Sequence, residues 1–98
     1  MIEKIKMNIV YYDVLINNND KFCIINNKKC EFASDDISNI IRIIRDWDSV
    51  YNNSKIIGEN RYSIEVCYDG LVYKYDFNNS FPDNFLELVK YIGGIYDR

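Results

Sequence analysis

Cysteines and carboxylates are the side chains of this sequence that could do chemistry. The chain contains three cysteines, Cys23, Cys30 and Cys67, and 15 aspartates and glutamates, but no histidine. Without histidine, Ser-His and Cys-His nucleophile systems and histidine-containing zinc sites are excluded. Three thiolates cannot fill a four-cysteine zinc site, and no Cys-x-x-Cys spacing occurs. We therefore expect neither a metal nor a cofactor.

Catalysis by carboxylates alone would need a cleft that shifts their pKa values. A small domain made of one sheet and two helices has little room for such a cleft. The four glycines occupy predicted turn or helix-end positions, so no glycine-rich phosphate-binding loop is present. We therefore expect that the protein is not an enzyme.

The segment KFCIINNKKCEF, which holds two of the cysteines, predicts a β-hairpin. If residues 26–27 are a two-residue turn, Cys23 faces Cys30 directly. If the loop covers residues 26–29, Cys23 faces Phe32 and four apolar residues share one face, which is the register we favour. Both registers place the two cysteines on the same face. We expect reduced, buried thiols, with a Cys23–Cys30 disulfide as the alternative.

Length and composition predict a single domain, residues 1–98. The chain is 48% hydrophobic, and no apolar run approaches the ~20 residues that cross a bilayer. The first residues, MIEKIKMNIVYYD, lack the apolar region of a signal peptide. We therefore expect a soluble cytoplasmic protein without membrane association. The net charge of −3 argues against direct nucleic-acid binding, which depends on lysine and arginine.

Residues 2–16 alternate in the manner of a β-strand, with one change of phase. Ile5 and Met7 share one face, whereas from Val10 onward the apolar residues occupy the other positions. A one-residue slip of this kind predicts a bulge or a bend near Val10. Residues 17–20 predict a turn.

The segment RYSIEVCYDGLVYKYDF predicts a second hairpin, because Asp69-Gly70 accepts the positive φ of a two-residue turn. This register pairs four sets of residues on one face: Tyr68 with Leu71, Val66 with Tyr73, Ile64 with Tyr75, and Tyr62 with Phe77. On the other face it pairs Glu65 with Lys74 as an ion pair. We expect helices to cover the aromatic face, which would make its four tyrosines core residues.

Two further segments have helical periodicity. In the first, Ser34 or Asp35 can cap the helix, which should end near Trp47. Its apolar side contains Ile37, Ile40, Ile41, Ile44 and Trp47, and Ile43 widens it. In the second, Ser80 and Asp83 resemble a capping box, and Gly93-Gly94 predicts the end. Between them, residues 52–60 predict a loop with room for a short strand at residues 55–57.

The order β-β-β-α-β-β-α predicts an α+β fold. Two amphipathic helices need an apolar surface, and the sheet offers one apolar face. We therefore expect an antiparallel sheet of four to five strands with both helices packed on one face.

Residues 40–92 resemble a group of small uncharacterised proteins of low-GC bacteria and their mobile elements. The resemblance lies in a helix ending in Trp47, an Ile-Ile-x-Gly-like loop at residues 56–58, an Asp-Gly hairpin at residues 69–70, and a Pro-x-Asn-Phe helix start at residues 82–85. These motifs are structural, so the resemblance implies no activity and no functional residue.

We expect a small acidic inhibitor that binds another protein. Abundant Asn, Ile, Lys, Tyr and Phe indicate an AT-rich bacterial, phage or mobile-element gene. The specific hypothesis is an anti-CRISPR type protein that occupies a basic surface of a nuclease effector. A homo-oligomeric accessory domain, as a homodimer for example, or a toxin-immunity domain is the alternative. The candidate partner-binding residues are Arg42, Arg45, Asp46, Trp47, Asp69, Asp76, Asp83 and Glu87.

Overall fold

A computed structural model describes residues 1–56, 58 and 60–98 and shows an α+β fold with a single mixed sheet. Its elements are β1 (Ile2–Ile9), β2 (Tyr12–Asn17), β3 (Phe22–Ile25), β4 (Lys28–Cys30), α1 (Ser34–Ile44), β5 (Val50–Asn52), β6 (Arg61–Tyr68), β7 (Leu71–Asn78) and α2 (Phe85–Tyr96). The sheet has seven strands in the order β4-β3-β2-β1-β6-β7-β5. The α+β class with two helices is confirmed. The prediction of four to five antiparallel strands was wrong, because β5 and β7 are parallel and the strands are more numerous.

Part of the extra strand count comes from the phase change near Val10. It marks a hairpin turn and not a bulge, and the antiparallel pairing of β1 with β2 places Met7 opposite Val14. Val10 adopts a φ of 47°, an uncommon conformation for a β-branched residue. A neighbouring turn supports it, since the Asn26 side chain donates to the carbonyl of Tyr11 at 2.9 Å.

The β3–β4 hairpin has the shorter of the two predicted loops. Asn26 and Asn27 form a two-residue turn with φ values of 51° and 66°, and Cys23 lies directly opposite Cys30. The favoured four-residue loop was therefore wrong. Asparagine tolerates positive φ, which allows a type I′ turn without glycine.

The strand that follows α1 is β5, and it lies earlier than residues 55–57. Lys55 and Ile56 belong to a turn, and Ile57 lies outside the described residues. The β6–β7 hairpin is confirmed in every predicted pair. Its predicted ion pair is present, with 3.5 Å between Lys74 Nζ and Glu65 Oε1.

Both helices pack on one face of the sheet, because the buried side chains of the strands alternate and belong to a single core. Helix α1 ends at Ile44, and Asp36 accepts the Ala33 N–H at its start, where Ser34 or Asp35 was the predicted cap. Ile43 is buried and Ile41 only half-buried, so the helix is rotated about its axis from the predicted orientation.

Helix α2 begins at Phe85, later than the predicted Ser80 start, and continues through Gly93 and Gly94. A Cβ at Gly93 would lie 2.8 Å from the Tyr12 hydroxyl oxygen, so glycine serves close packing here and not helix termination. Within the part of the chain that the structure describes, neither helix has the length and apolarity needed to cross a membrane.

Trp47 belongs to the core, with 9% of its surface exposed. Its ring packs edge-on against Phe77, with 5.7 Å between ring centroids, and lies 6.0 Å from Phe85. Its indole N–H donates to Asn84 Oδ1 at 2.6 Å, and the Asn84 amide donates to the Ile43 carbonyl at 3.1 Å. Asn84 thus holds the end of α1 to the start of α2 and makes no side-chain cap on its own helix.

A buried carboxylate joins the other ends of the helices. Asp36 accepts two hydrogen bonds from the Arg98 guanidinium, at 2.7 and 2.8 Å, and one from the Tyr91 hydroxyl at 2.7 Å. The backbone N–H of Ala33 adds a fourth at 2.8 Å. The hydrogen bonds from Arg98 are the largest influence on the Asp36 pKa. Together with those from Ala33 and Tyr91, they outweigh the effect of burial and lower this pKa to about 2.

We expect Trp47→Ala to lower the free energy of unfolding by about 3–5 kcal/mol, because it removes a buried ring and leaves Asn84 without its donor. Urea denaturation measures this loss. Trp47→Phe keeps part of the ring packing and should lose less. A loss below about 1 kcal/mol for Trp47→Ala would contradict the core assignment.

Asp36→Asn should lower the free energy of unfolding by about 2 kcal/mol at pH 7, because the ionised carboxylate is the form that the fold stabilises. This contribution is complete above the pKa of an unfolded aspartate, about 4, and is lost as the pH falls towards about 2. Denaturation of the wild type and of Asp36→Asn between pH 7 and pH 2 should therefore show that the difference in their free energies of unfolding shrinks as the pH falls. Asp35→Asn, at an exposed neighbouring position, is the matched control. Parallel pH profiles for the wild type and Asp36→Asn would contradict the assignment.

Candidate functional site

The end of the β6–β7 hairpin near its turn extends past the helix layer. Tyr68 is 42% exposed, Leu71 59%, Val72 57% and Tyr73 49%. The prediction that all four hairpin tyrosines are core residues was therefore wrong for Tyr68 and Tyr73. Tyr62 and Tyr75 lie nearer the helices and are half-buried.

A groove of about 270 Å³ separates this end of the hairpin from α1. We call it the hairpin groove. It is lined by Ile2, Ile41, Ile44, Arg45, Val66, Tyr68, Tyr73 and Tyr75. A second depression of about 330 Å³ continues along α1 and shares Ile2, Ile41 and Arg45 with it. The rotation of α1 that buries Ile43 leaves Ile41 available to line both.

Two arginines lie along these depressions, and their present partners hold them weakly. Arg42 lies 3.9 Å from the Glu87 carboxylate, and Arg45 lies 3.8 Å from that of Asp46. All four side chains are more than half exposed, and exposed pairs at such distances contribute little to stability. The guanidinium groups can therefore exchange these partners for another carboxylate at small cost.

The structure does not gather the predicted binding residues into one surface. Arg45 lines the hairpin groove, and Arg42 lines the depression beside it. Trp47 is buried in the core. The acidic residues lie elsewhere: Asp46 just after α1, Asp69 at the hairpin turn, Asp76 on the sheet face away from the helices, and Asp83 and Glu87 around the start of α2. The carboxylates therefore do not line up along one face as a mimic of a nucleic-acid backbone would require.

The most strongly perturbed carboxylate, Asp36, has a structural role. A catalytic acid or base needs a proton to exchange with a substrate, whereas all four bonds to Asp36 come from the protein's own donors. Its lowered pKa keeps it ionised and paired. Within the described residues, no group of three or more cysteines, aspartates and glutamates could hold a metal ion.

The cysteines differ in their surroundings. Cys23 is fully buried, and burial, followed by the proximity of Cys30 and Asp36, raises its pKa to about 11. Cys30 and Cys67 are partly exposed, and all three thiols are free. A thiol with a raised pKa is a weak nucleophile, so Cys23 is a packing residue.

Thiol titration with Ellman's reagent should detect three thiols in denaturant without reductant. In the folded chain we expect Cys30 and Cys67 to react first, and Cys23 to react only as the chain unfolds, because its thiolate is rare at pH 8 and inaccessible. A single reactive thiol in denaturant would instead show that Cys23 and Cys30 are paired as a disulfide.

Comparison with protein-family models, with curated protein sequences and with solved structures finds no match to this chain. The resemblance of residues 40–92 to small proteins of low-GC bacteria stays a prediction, and the candidate site depends on the geometry described above.

Proposed function

We propose that this chain is a non-enzymatic domain that binds another protein through the hairpin groove and the exposed side chains beside it. The observation that supports this most is the continuity of exposed Tyr68, Leu71 and Tyr73 with an apolar groove. Contiguous apolar surface that the fold leaves open is typical of protein-interaction sites.

The residue types in and around the groove suit protein recognition. Tyrosine and arginine are enriched among the residues that dominate binding energy, because each combines a large contact area with a polar end. Tyr68 and Tyr73 supply rings, Arg45 supplies a guanidinium, and Ile2 with Ile41 supplies an apolar floor. A partner with an apolar anchor beside a carboxylate fits this arrangement.

The specific form that we propose is an inhibitor of a bacterial defence nuclease. It is supported by the small single domain and by a composition typical of AT-rich mobile elements. Because the acidic residues are dispersed, we assign the contact to the hairpin groove and not to an array of carboxylates. The partner surface would then be apolar and acidic at the point of contact.

A plasmid-transformation assay tests this proposal in cells that carry RNA-guided nucleases of several types. The wild-type chain should restore transformation of a targeted plasmid with at least one nuclease. The affinity of the double variant Tyr73→Ser/Arg45→Ser for that nuclease, measured by titration of the purified proteins, should be lower by about tenfold or more, since two contact residues are truncated.

The matched control is Tyr11→Ser/Lys90→Ser, which removes an exposed tyrosine and an exposed cation from other surfaces. It should behave as the wild type does. The proposal fails if the wild-type chain protects no plasmid, or if the groove variant and the control lose affinity equally.

A further inference from the structure

Strand β7 has a free edge beside the hairpin groove. It contains eight residues, but β5 pairs only with Asp76, Phe77 and Asn78 at its end. Among the described residues, no strand pairs with residues 71–75 on the side away from β6.

The backbone groups at this edge can be assigned. The Asp76 N–H donates to the Ser49 carbonyl at 2.8 Å, so the Asp76 backbone faces the β5 side. Because hydrogen-bonding direction alternates along a strand, the N–H and C=O groups of Val72 and Lys74 face the same side. Those of Tyr73 face β6.

The other open edges carry more of the features that discourage strand addition than the free edge of β7, which has five residues and a single lysine, Lys74. The outer strand β4 has three residues, two of which are Lys28 and Lys29, and β5 has only three residues. Short edge strands and lysines are common means of blocking edge pairing. Residues 71–75 read Leu-Val-Tyr-Lys-Tyr, with large apolar side chains exposed on both sides of the strand.

We propose that the free edge of β7 binds an extended segment of a partner protein as an added strand. The inference rests on the proposed function and specifies how the partner is held. The backbone of Val72 and Lys74 supplies hydrogen bonds, and alternate side chains of the segment lie over Tyr73 and into the hairpin groove.

The edge also defines the chemistry of the segment. On the groove side, Leu71 and Tyr73 favour apolar residues, because cross-strand apolar pairs stabilise a sheet. On the other side, Lys74 is the one charged residue of the free edge. Its ion pair with Glu65 is exposed and therefore weak, so Lys74 can exchange that partner for a carboxylate of the segment. A segment that alternates apolar and acidic residues satisfies both.

A second copy of this chain is a poorer occupant. Two-fold pairing about Tyr73 would bring Gly70 of one copy opposite Asp76 of the other, where β5 is already paired. Pairing about Lys74 would place the two lysines face to face. Pairing about Val72 avoids both conflicts but brings Lys74 opposite the Gly70 turn, so that only residues 71–73 overlap.

The probe is an acetylated and amidated peptide in which valine alternates with glutamate over seven residues. Amide hydrogen exchange measured by NMR should show Val72 and Lys74 exchanging about tenfold more slowly when the peptide is bound, because their N–H groups become hydrogen-bonded. The Tyr73 amide, already bonded to β6, should change little. A peptide with lysine in place of glutamate should bind more weakly.

Two controls remove the backbone bonds in different ways. A peptide N-methylated at alternate residues should lose the protection without any change to the protein. Val72→Pro removes one outward N–H and leaves the β6 pairing intact, whereas Val72→Thr keeps both the N–H and the β-branched shape. We expect Val72→Pro to abolish the peptide-dependent protection of the Lys74 amide and Val72→Thr to retain it.

Several results would overturn the inference. If the peptide shifts groove signals without protecting Val72 and Lys74, the groove binds but the edge does not, and the proposed function survives. If the peptide does not bind, strand addition fails, while the plasmid assay decides the proposed function separately. If both amides are protected without peptide in a dimer detected by light scattering, a second copy occupies the edge.

Discussion

The helix layer is smaller than the sheet it covers, and the exposed features of the molecule follow from this mismatch. Seven strands spaced by about 4.8 Å make a sheet about 29 Å wide, whereas two adjacent helices cover about 20 Å. The helices contain 11 and 12 residues, so each is only about 17 Å long. The end of the β6–β7 hairpin near its turn lies outside this cover. Its aromatic face continues the core pattern of the strands, but no helix among the described residues covers it fully, and Tyr68 and Tyr73 remain exposed.

Polar side chains fix which part of the sheet is covered. Asp36 ties the start of α1 to residues in and just after α2, and Asn84 ties the end of α1 to the start of α2. With both ends held, α1 has a defined rotation, in which Ile43 enters the core and Ile41 faces the groove. These partly buried hydrogen bonds between the helices therefore shape the surface beside the turn of the hairpin.

Local signals were enough to predict the β6–β7 register and most of the apolar side of α1, although not its exact rotation. Asp-Gly fixes a turn within two residues, and helical periodicity acts over a few turns. The hydrogen bonds by which Asp36 and Asn84 connect the two helices were missed, because their partners are 37 to 62 residues away in the chain. The exposure of Tyr68 and Tyr73 was missed for a related reason. Alternation reports which face a residue is on but not how far along the strand the cover extends.

The uncovered corner also differs from the core in what it contributes to folding. Leu71, Val72 and Tyr73 are about half exposed or more, so polar residues there would cost far less stability than in the core. Polar replacements would also shield the free edge, as Lys28 and Lys29 do on β4. The apolar residues therefore lower solubility without a matching gain in packing. The proposed contact with a partner protein would explain this combination: the groove would hold the partner's apolar side chains, and the edge would set the direction of its bound segment.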